Sequence, residues 1–314
     1  MGSAAVTRQS VTVNGKTVAI VSALSVIYPL ISWLVVGYKI DQLVLVALFN
    51  LAFYASPITR KFIVGFSIFI VYWIIYDYMK AFPNYNYSMV HIADLYNFEK
   101  HLFGININGK LLTPNEYWRF NGNTGLDIMC GVFYLCWIPV PLGFAIYMFF
   151  KNRRAFILFL LTFVLVNFLG FIVYYTFAAA PPWYVAYHGF NFVAHTQGNT
   201  AGLAKFDAYF HISVFKSIYA KGSNVFAAMP SLHSAYPIVV LYYGIKNRLG
   251  WVNLLFAIVT IGIWFSAVYL SHHYVLDVLA GITCAVVGIW LFNLLLLRWG
   301  AFRRFVDGYE LAIV

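Results

Sequence analysis

Eight apolar segments make up most of this 314-residue chain and limit its fold more than any short motif does. A helix rises ~1.5 Å per residue and needs about 20 apolar residues to cross the hydrocarbon core of a bilayer. The candidate membrane helices span residues 18–37, 42–56, 62–79, 126–150, 155–178, 231–246, 250–270 and 274–297. The second and sixth are short for a full crossing. The sequence therefore predicts an all-α fold, a polytopic transmembrane bundle of about eight helices.

Composition supports this fold class. Hydrophobic residues make up 62% of the chain and charged residues only 10%, whereas a soluble domain carries about 25% charged residues. The formal net charge of +10 does not indicate a nucleic-acid partner, because the basic residues lie in short loops between apolar segments. The three cysteines, Cys130, Cys136 and Cys284, fall within apolar segments. They are predicted to be packing residues rather than disulfide partners or metal ligands.

The basic residues of the short loops predict the orientation of the bundle. With eight crossings, the short loops on one side contain only Lys39. The side with both termini receives Arg8, Lys16, Arg60, Lys61, Lys151, Arg153, Arg154, Lys246, Arg248, Arg298, Arg303 and Arg304. Because cytoplasmic loops carry an excess of Lys and Arg, both termini are predicted to be cytoplasmic. Two long segments, about 80–125 and 179–230, then lie outside the cytoplasm, where their aromatic and polar residues suit caps at the headgroup level.

Two polar motifs lie at the ends of a predicted helical hairpin. They are residues 230–233, with the sequence Pro-Ser-Leu-His, and 271–277, with the sequence Ser-His-His-Tyr-Val-Leu-Asp. The apolar segments between them cross the membrane and return, so His233 and His273 are predicted to end on the same face. Asp277 follows His273 by four residues and shares one face of a helix that begins near residue 272.

A single histidine at a membrane surface is more often an anchoring residue than a catalyst, by roughly four to one. Three features favour catalysis here. Ser231 opens a helix whose free N–H groups can hold a phosphate. Asp277 has no Lys or Arg nearby in sequence, and an ionisable residue at a membrane helix usually has a partner, for which His273 is in reach. The hairpin also brings both motifs together, and a carboxylate behind a histidine fixes its tautomer and raises its nucleophilicity.

A zinc site is the competing interpretation, since two histidines and an aspartate can also ligate zinc. It is less favoured because no HExxH sequence is present, the cysteines lie elsewhere, and no pair of aspartates is placed to hold magnesium. No metal ion or organic cofactor is therefore expected. Asp77 and Asp127 lie near the ends of their helices and are interpreted as structural, although Asp127 could face a polar pocket.

The two motifs resemble the second and third signature motifs of the type 2 phosphatidic acid phosphatase superfamily. The chain is more specifically similar to the inositol phosphorylceramide synthase branch, over about residues 75–285. The stretches that carry this similarity are 82–85, 94–96, 113–116, 180–184, 228–233 and 272–274. The resemblance implies that His273 is the nucleophile, that Asp277 is its partner, and that His233 is the general acid and base.

The chain departs from the superfamily pattern at two places. The first motif, a lysine followed six residues later by Arg-Pro, is absent, and Ala180 stands where its arginine would be. The third motif opens with Ser271 and His272 rather than Ser-Arg. Fewer fixed cations therefore face the phosphate, unless the pocket uses cations from the outer segments. The candidates are Arg119, Lys205 and Lys221.

The resemblance implies an integral-membrane phosphotransferase that moves an inositol-phosphate headgroup from a phospholipid to a ceramide hydroxyl. The reaction passes through a phosphohistidine and releases diacylglycerol. The residues expected to contact the substrates are Ser231, Ser271, His272, Trp183 and Tyr184. A lipid phosphate phosphatase with the same His/His/Asp set, and water as acceptor, is the first alternative. A lipid transporter without enzymatic activity is the second, although its ionisable residues would lie near mid-membrane rather than at helix ends.

The sequence divides into three predicted regions. Residues 1–60 are predicted to be an N-terminal segment with two transmembrane helices, and residues 61–300 a six-helix catalytic core with outer caps at 80–125 and 179–230. Residues 301–314 are predicted to be a short cytoplasmic tail. The expected location is a bacterial inner membrane with a periplasmic active site, or a Golgi membrane with a lumenal one. The oligomeric state is left open.

Overall fold

Helices form most of the computed structural model, which describes residues 11–220 and 224–314. The helices are α1 (Gly15–Val36), α2 (Ile40–Ala55), α3 (Pro57–Tyr78), α4 (Ala93–Phe103), α5 (Pro114–Asn121), α6 (Thr124–Leu135), α7 (Pro139–Lys151), α8 (Arg153–Thr176), α9 (Pro182–His188), α10 (Leu203–Phe210), α11 (Val214–Ala220), α12 (Leu232–Lys246), α13 (Val252–Tyr269), α14 (Val275–Arg298) and α15 (Gly300–Ile313). The predicted all-α class is confirmed.

Within the described part of the chain, six stretches are long and apolar enough to cross a membrane. They are Gly15–Val36, Pro57–Ala81, Thr124–Lys151, Arg153–Thr176, Val252–Tyr269 and Val275–Leu296. The α2 and α12 helices have 16 and 15 residues and correspond to the two segments that are short in the sequence. The protein is therefore a multi-pass membrane protein.

The predicted crossing at residues 126–150 is divided into two helices. The α6 helix ends at Leu135, and α7 begins at Pro139. Proline lacks an N–H group and fits the first turn of a helix but not its interior, which explains why a new helix begins there. Apolar periodicity alone does not reveal the break, because the connecting residues Cys136 to Ile138 are also apolar.

The outer segments contain short strands that the sequence analysis did not predict. Strand β1 (Val90–His91) pairs in parallel with β4 (Ala178–Ala179), and β2 (Ile105–Ile107) pairs antiparallel with β3 (Lys110–Leu112). The β2–β3 turn is Asn108-Gly109, and both residues have a positive φ. Asn-Gly between two apolar stretches is a strong hairpin signal, so this pair could have been found from the sequence.

The predicted tail contains the helix α15. Its apolar residues recur every three or four positions, as in an amphipathic helix, at Phe302, Val306, Tyr309 and Ile313. Because this pattern covers only one face, a search for long apolar runs does not detect it.

The chain divides into two compact units, each described here by itself. Unit 1 comprises residues up to Ala81, Ala145–Val164 and Asn293–Val314, and unit 2 comprises Phe82–Phe144 and Leu165–Phe292. In unit 1, α3 packs against α1, α2 and α15, and in unit 2, α13 packs against α6 and α12. This partition differs from the division at residues 60 and 300 suggested by the sequence, which stays a prediction.

Candidate active site

The α12–α13 hairpin brings the two histidines of the polar motifs into contact. His233 lies in the first turn of α12, and His273 lies in the connection between α13 and α14. The Nδ1 atom of His233 is 3.2 Å from the Nε2 atom of His273. Two imidazoles at this distance can exchange a proton or act together on one bound group.

The hydrogen bonds of His273 define its tautomer. Its Nδ1 atom lies 3.0 Å from the carbonyl oxygen of Ala228. A carbonyl only accepts hydrogen bonds, so Nδ1 carries the proton and Nε2 has a free lone pair directed at His233. Burial lowers the pKa of His273 to about 4, which keeps the ring neutral near pH 7. His273 therefore has the protonation state that a nucleophile requires.

Ala228 is held in place by the short sheet of the outer segments. Its N–H donates to the carbonyl oxygen of Ala179 at 3.3 Å, and Ala179 also forms a parallel bridge with Ala227. The carbonyl that orients His273 is thus fixed by backbone contacts. Sequence reasoning missed it, because a backbone carbonyl has no signature in the sequence.

Asp277 is fully buried behind His273. Its Oδ2 atom accepts the N–H of Tyr274 at 2.8 Å and lies 3.6 Å from Nδ1 of His273. In this geometry the hydrogen bond of His273 Nδ1 goes to Ala228, and the carboxyl group of Asp277 lies beside the same nitrogen. A negative charge on this carboxyl would favour a positive charge on the imidazole ring.

The two motifs also touch through their backbones. The N–H of Ser231 donates to the carbonyl oxygen of Asp277 at 2.8 Å. A Cβ atom on Gly281 of α14 would lie only 2.1 Å from the carbonyl oxygen of Ser231. Glycine at this position therefore allows α14 to approach the start of α12 at backbone distance.

Ser231 and Ser271, both predicted to contact substrate, have structural partners. The Ser231 Oγ atom caps α12 by accepting the N–H of Ser234 at 3.4 Å and its hydroxyl at 3.0 Å. Ser271 has a φ of 60°, and its carbonyl oxygen accepts the N–H of Trp183 at 3.0 Å. These contacts hold the backbone of both motifs, and contact of either serine with substrate stays a prediction.

His272 is buried between two aromatic rings. It stacks on Tyr134 and Tyr219 with centroid distances of 5.2 and 4.7 Å, and its Nε2 atom donates to the carbonyl oxygen of Thr200 at 3.1 Å. Burial lowers the pKa of His272, so the ring is neutral near pH 7. A neutral imidazole thus occupies the position at which the superfamily pattern has an arginine.

Trp183 and Tyr184 lie in the first turn of α9 and are both buried. The Tyr184 hydroxyl donates to the carbonyl oxygen of Asn191 and accepts the N–H of Val193, both at 2.8 Å. Tyr184 therefore fixes the loop that follows α9. Contact of the two residues with substrate stays a prediction.

The candidate cations of the outer segments differ in their surroundings. The Lys205 Nζ atom lies 3.3 Å from Oδ1 of Asp127, which also accepts the hydroxyl of Tyr269 at 2.8 Å. Arg119 is exposed at the end of α5. Lys221 lies outside the described residues. Among those residues, no group of three or more His, Cys, Asp or Glu side chains is arranged to hold a metal ion.

Two further residues near the histidines were missed by sequence reasoning. The hydroxyl of Tyr134, in α6, lies 3.3 Å from Nδ1 of His233. The Nδ2 atom of Asn115 donates to the carbonyl oxygens of Val268 and His273, both at 2.8 Å. Tyr134 lies in an apolar segment where an aromatic residue carries no signal of function, whereas Asn115 belongs to a stretch that carries the family resemblance.

Comparison of the sequence with known families identifies the family to which this chain belongs. A family model described as PAP2 superfamily matches residues 110–291, more than half of the chain and all of both histidine motifs. The chain belongs to the PAP2 superfamily. The family predicted from the sequence is confirmed.

Relatives within the superfamily are more informative. A phosphoinositol dihydroceramide synthase of Bacteroides thetaiotaomicron is 42% identical over 295 residues, which is 93% of this chain and 96% of the relative. The inositol phosphorylceramide synthase of Candida albicans is 33% identical over 37% of this chain and 24% of the relative. The catalytic subunit of the Saccharomyces cerevisiae inositol phosphorylceramide synthase is 27% identical over 72% of this chain and 55% of the relative. No solved structure matches the chain.

Proposed function

We propose that the protein is a phosphotransferase that moves an inositol-phosphate headgroup from a phospholipid to the hydroxyl of a ceramide. This is the function predicted from the sequence, and the names of the relatives confirm its reaction class. The observation that carries the proposal is the contact of the unprotonated Nε2 of His273 with His233. A nucleophile and an acid/base group in contact are the parts that phosphoryl transfer through a covalent intermediate requires.

In the first half-reaction, Nε2 of His273 attacks the phosphorus of the phospholipid. The N–P bond forms, the P–O bond to diacylglycerol breaks, and His233 donates a proton to the departing oxygen. The anionic phosphodiester beside His233 favours the protonated form of that ring. The phosphorylated His273 ring carries a positive charge, which the carboxylate of Asp277 at 3.6 Å stabilises.

In the second half-reaction, the ceramide hydroxyl attacks the phosphohistidine. The new O–P bond forms, the N–P bond breaks, and His233 takes the hydroxyl proton. His233 is then protonated again, and Nε2 of His273 recovers its lone pair, so the cycle closes without a further reactant.

Burial of the site favours an alcohol over water as acceptor. His272 and His273 are only 4% and 5% exposed, so bulk water has little access to the nitrogen that carries the phosphoryl group. Exclusion of water protects a reactive intermediate from hydrolysis. A phosphatase would instead need an open path for water to the phosphohistidine.

The active site is proposed to lie on the extracytoplasmic face. The distribution of Lys and Arg in the short loops supports this orientation. Lys246 is exposed at the end of α12, and Tyr187 is exposed in the second outer segment. In intact cells, a membrane-impermeant thiol reagent should label Tyr187→Cys and not Lys246→Cys. The reverse pattern would invert the orientation.

A reconstitution experiment tests the reaction. Purified protein in vesicles with an inositol phospholipid alone should release little inositol phosphate. Addition of ceramide should start formation of diacylglycerol and an inositol phosphosphingolipid in equal amounts. Release of inositol phosphate at the same rate without ceramide would identify a phosphatase. If no phospholipid is consumed with or without ceramide, the proposal that the protein is a phosphotransferase is refuted.

A further inference from the structure

A buried carboxylate from the first outer segment contacts the helix that follows the nucleophile. Glu99, in α4, is completely buried. Its Oε1 atom accepts the N–H of Val275 at 2.9 Å, and its Oε2 atom accepts the N–H of Leu276 at 3.1 Å. These two N–H groups belong to the first turn of α14. Glu99 lies outside both histidine motifs and outside the stretches that carry the family resemblance.

The first N–H groups of a helix have no partners within the helix and are usually satisfied by a Ser, Thr, Asp or Asn side chain just before it. The residue before α14 is Tyr274, whose side chain cannot act in this way. Asp277 accepts the N–H of Tyr274, and Glu99 accepts the next two. Two buried carboxylates from two elements therefore hold three consecutive N–H groups directly after His273.

The packing around these groups joins α4 to the nucleophile. Leu95 of α4, Ala179 of β4 and Tyr274 form one buried cluster, with Leu276 and Met229 packed against it. The α4 helix thus presents Leu95 and Glu99, one turn apart, to the segment that contains His273. A shift of α4 would move the backbone on which the nucleophile is placed.

Burial of the Glu99 carboxylate costs free energy, because the group loses its hydration and lies near a second acidic group. A neutral cap would satisfy the same N–H groups without the charge. We propose that Glu99 is a positioning residue of the phosphoryl transfer, which fixes the start of α14 and thereby the alignment of His273 with His233 and Asp277. This inference rests on the proposed function.

The ionised carboxylate of Glu99 offers two acceptor oxygens to the two N–H groups. Protonation turns one of these oxygens into a hydroxyl, which is a poorer acceptor. Burial raises the pKa of Glu99 to about 7; its two backbone N–H groups oppose this shift, and the charge of Asp277 adds to it. The other titratable groups around Tyr274 and Glu99 are Tyr96 and Glu116, and Lys100 contacts the Tyr96 hydroxyl at 3.1 Å. The expected sign is that turnover falls as the pH drops through about 7 and Glu99 takes up a proton.

The titration of His273 lies elsewhere. Its pKa of about 4 places the loss of its lone pair well below the titration of Glu99. A decrease in turnover near pH 7 therefore does not report protonation of the nucleophile. A substitution of Glu99 shows whether the decrease belongs to that carboxyl.

The test compares Glu99→Gln with a matched control. Glu116→Gln makes the same carboxylate-to-amide change at another helix start, where Glu116 accepts the N–H of Thr113 at 2.9 Å in the capping box of α5. Diacylglycerol formation from an inositol phospholipid and ceramide is measured from pH 5.5 to 9 for the full-length wild-type protein and both variants. Thermal unfolding of each variant is recorded in parallel.

We expect Glu99→Gln to lower kcat about 10- to 100-fold with little change in KM, as for a misaligned reactive group. It should also abolish the decrease in kcat below about pH 7, whereas Glu116→Gln should retain it. An unchanged pH profile in Glu99→Gln would overturn the proposal. Equal flattening in Glu116→Gln would also overturn it, because loss of any nearby cap would then suffice.

Glu99→Asp keeps the test decisive if Glu99→Gln does not fold. Its carboxylate is retained but is one methylene further from α14, so the decrease in kcat should persist at a shifted pH. An unshifted decrease would contradict a role for residue 99. Wild-type protein that shows no ceramide-dependent activity would refute the proposed function, whereas an active wild type with an unaffected Glu99→Gln would refute only this inference.

Discussion

The two units of the molecule differ in where they bury acidic side chains. In unit 1, the ion pairs are at least partly open to solvent: Asp77 pairs with Lys39 and Lys80, and Arg154 pairs with Asp307 and Glu310. In unit 2, four of the six acidic side chains are buried, whereas Asp94 is exposed and pairs with His91. Among the described residues, the buried ones are Glu99, Asp127, Asp207 and Asp277, all of which belong to unit 2.

The proposed chemistry lies in unit 2, the unit with the buried acidic groups. Exposed ion pairs contribute only about 0–1 kcal/mol each. Buried ionisable groups lose their hydration, so a fold retains them where their charge or proton has a use. The substitutions below test this contrast, beginning with the largest expected effect.

Replacement of the two histidines should have the largest effect. His273→Ala removes the proposed nucleophile and should reduce ceramide-dependent diacylglycerol formation to background. His233→Ala removes the proposed acid/base group and should cost about 10²- to 10⁴-fold in kcat. Thermal unfolding of both variants should stay close to that of the wild type. Full activity in either variant would exclude that histidine from the mechanism.

Asp277→Asn should reduce kcat about 10²-fold or more, because it removes the negative charge 3.6 Å from the ring that becomes positive. The amide oxygen can still accept the N–H of Tyr274, so the fold should be retained. The measurement is kcat at the pH optimum, with circular dichroism as a check of helicity. Wild-type turnover would show that Asp277 acts only as a cap of α14.

Gly281→Ala should lower kcat by up to about 10²-fold, because its methyl group would lie 2.1 Å from the Ser231 carbonyl and force α14 away from α12. Gly143→Ala is the matched control, since nothing lies within 4 Å of a Cβ at that position of α7. Equal turnover of the two variants would contradict the idea that the two motifs are set by backbone contact.

Tyr134→Phe should lower kcat about 3- to 10-fold, as expected for the loss of one hydrogen bond of about 1 kcal/mol. The hydroxyl lies 3.3 Å from Nδ1 of His233, whereas the ring stacks on His272 and is preserved by phenylalanine. Because the hydroxyl acts on the acid/base group, the pH profile should shift as well. A variant with unchanged kcat and pH profile would leave Tyr134 with a packing role only.

Arg154→Ala should have the smallest effect. It breaks the ion pairs to Asp307 and Glu310 in unit 1, and the expected loss of stability is below about 1 kcal/mol. Turnover should remain within about two-fold of the wild type. A large loss of kcat would show that unit 1 takes part in the chemistry and would break the contrast between the units.

Sequence reasoning was most successful where the signal is local. Apolar runs predicted the long helices, and the spacing of the two motifs predicted that His233 and His273 meet through a hairpin. The break at Pro139 and the Asn108-Gly109 turn also have local signals, although long apolar runs alone predict one continuous helix over residues 126–150 and no strands in the outer segments.

The remainder of the site depends on long-range contacts. Glu99 and Val275 are 176 positions apart, and nothing in α4 indicates which N–H groups its carboxylate accepts. The partner of His273 Nδ1 is a backbone carbonyl, which every residue possesses. Tyr134 is one aromatic residue among many in the apolar segments. Only the folded chain shows that these groups converge.

The hydrogen bond between Ser231 and Asp277, and the Glu99 cap on α14, have a consequence for synthesis of the protein. The chain emerges from the ribosome in order, so the His233 motif enters the membrane before the segment that completes its surroundings exists. Glu99 is synthesised earlier still, 176 positions before the first of its two partners, Val275 and Leu276. A nascent chain that stalls before α14 therefore lacks the contacts that place the proposed nucleophile. Under the proposed mechanism it cannot cleave lipids of the membrane into which it is being inserted.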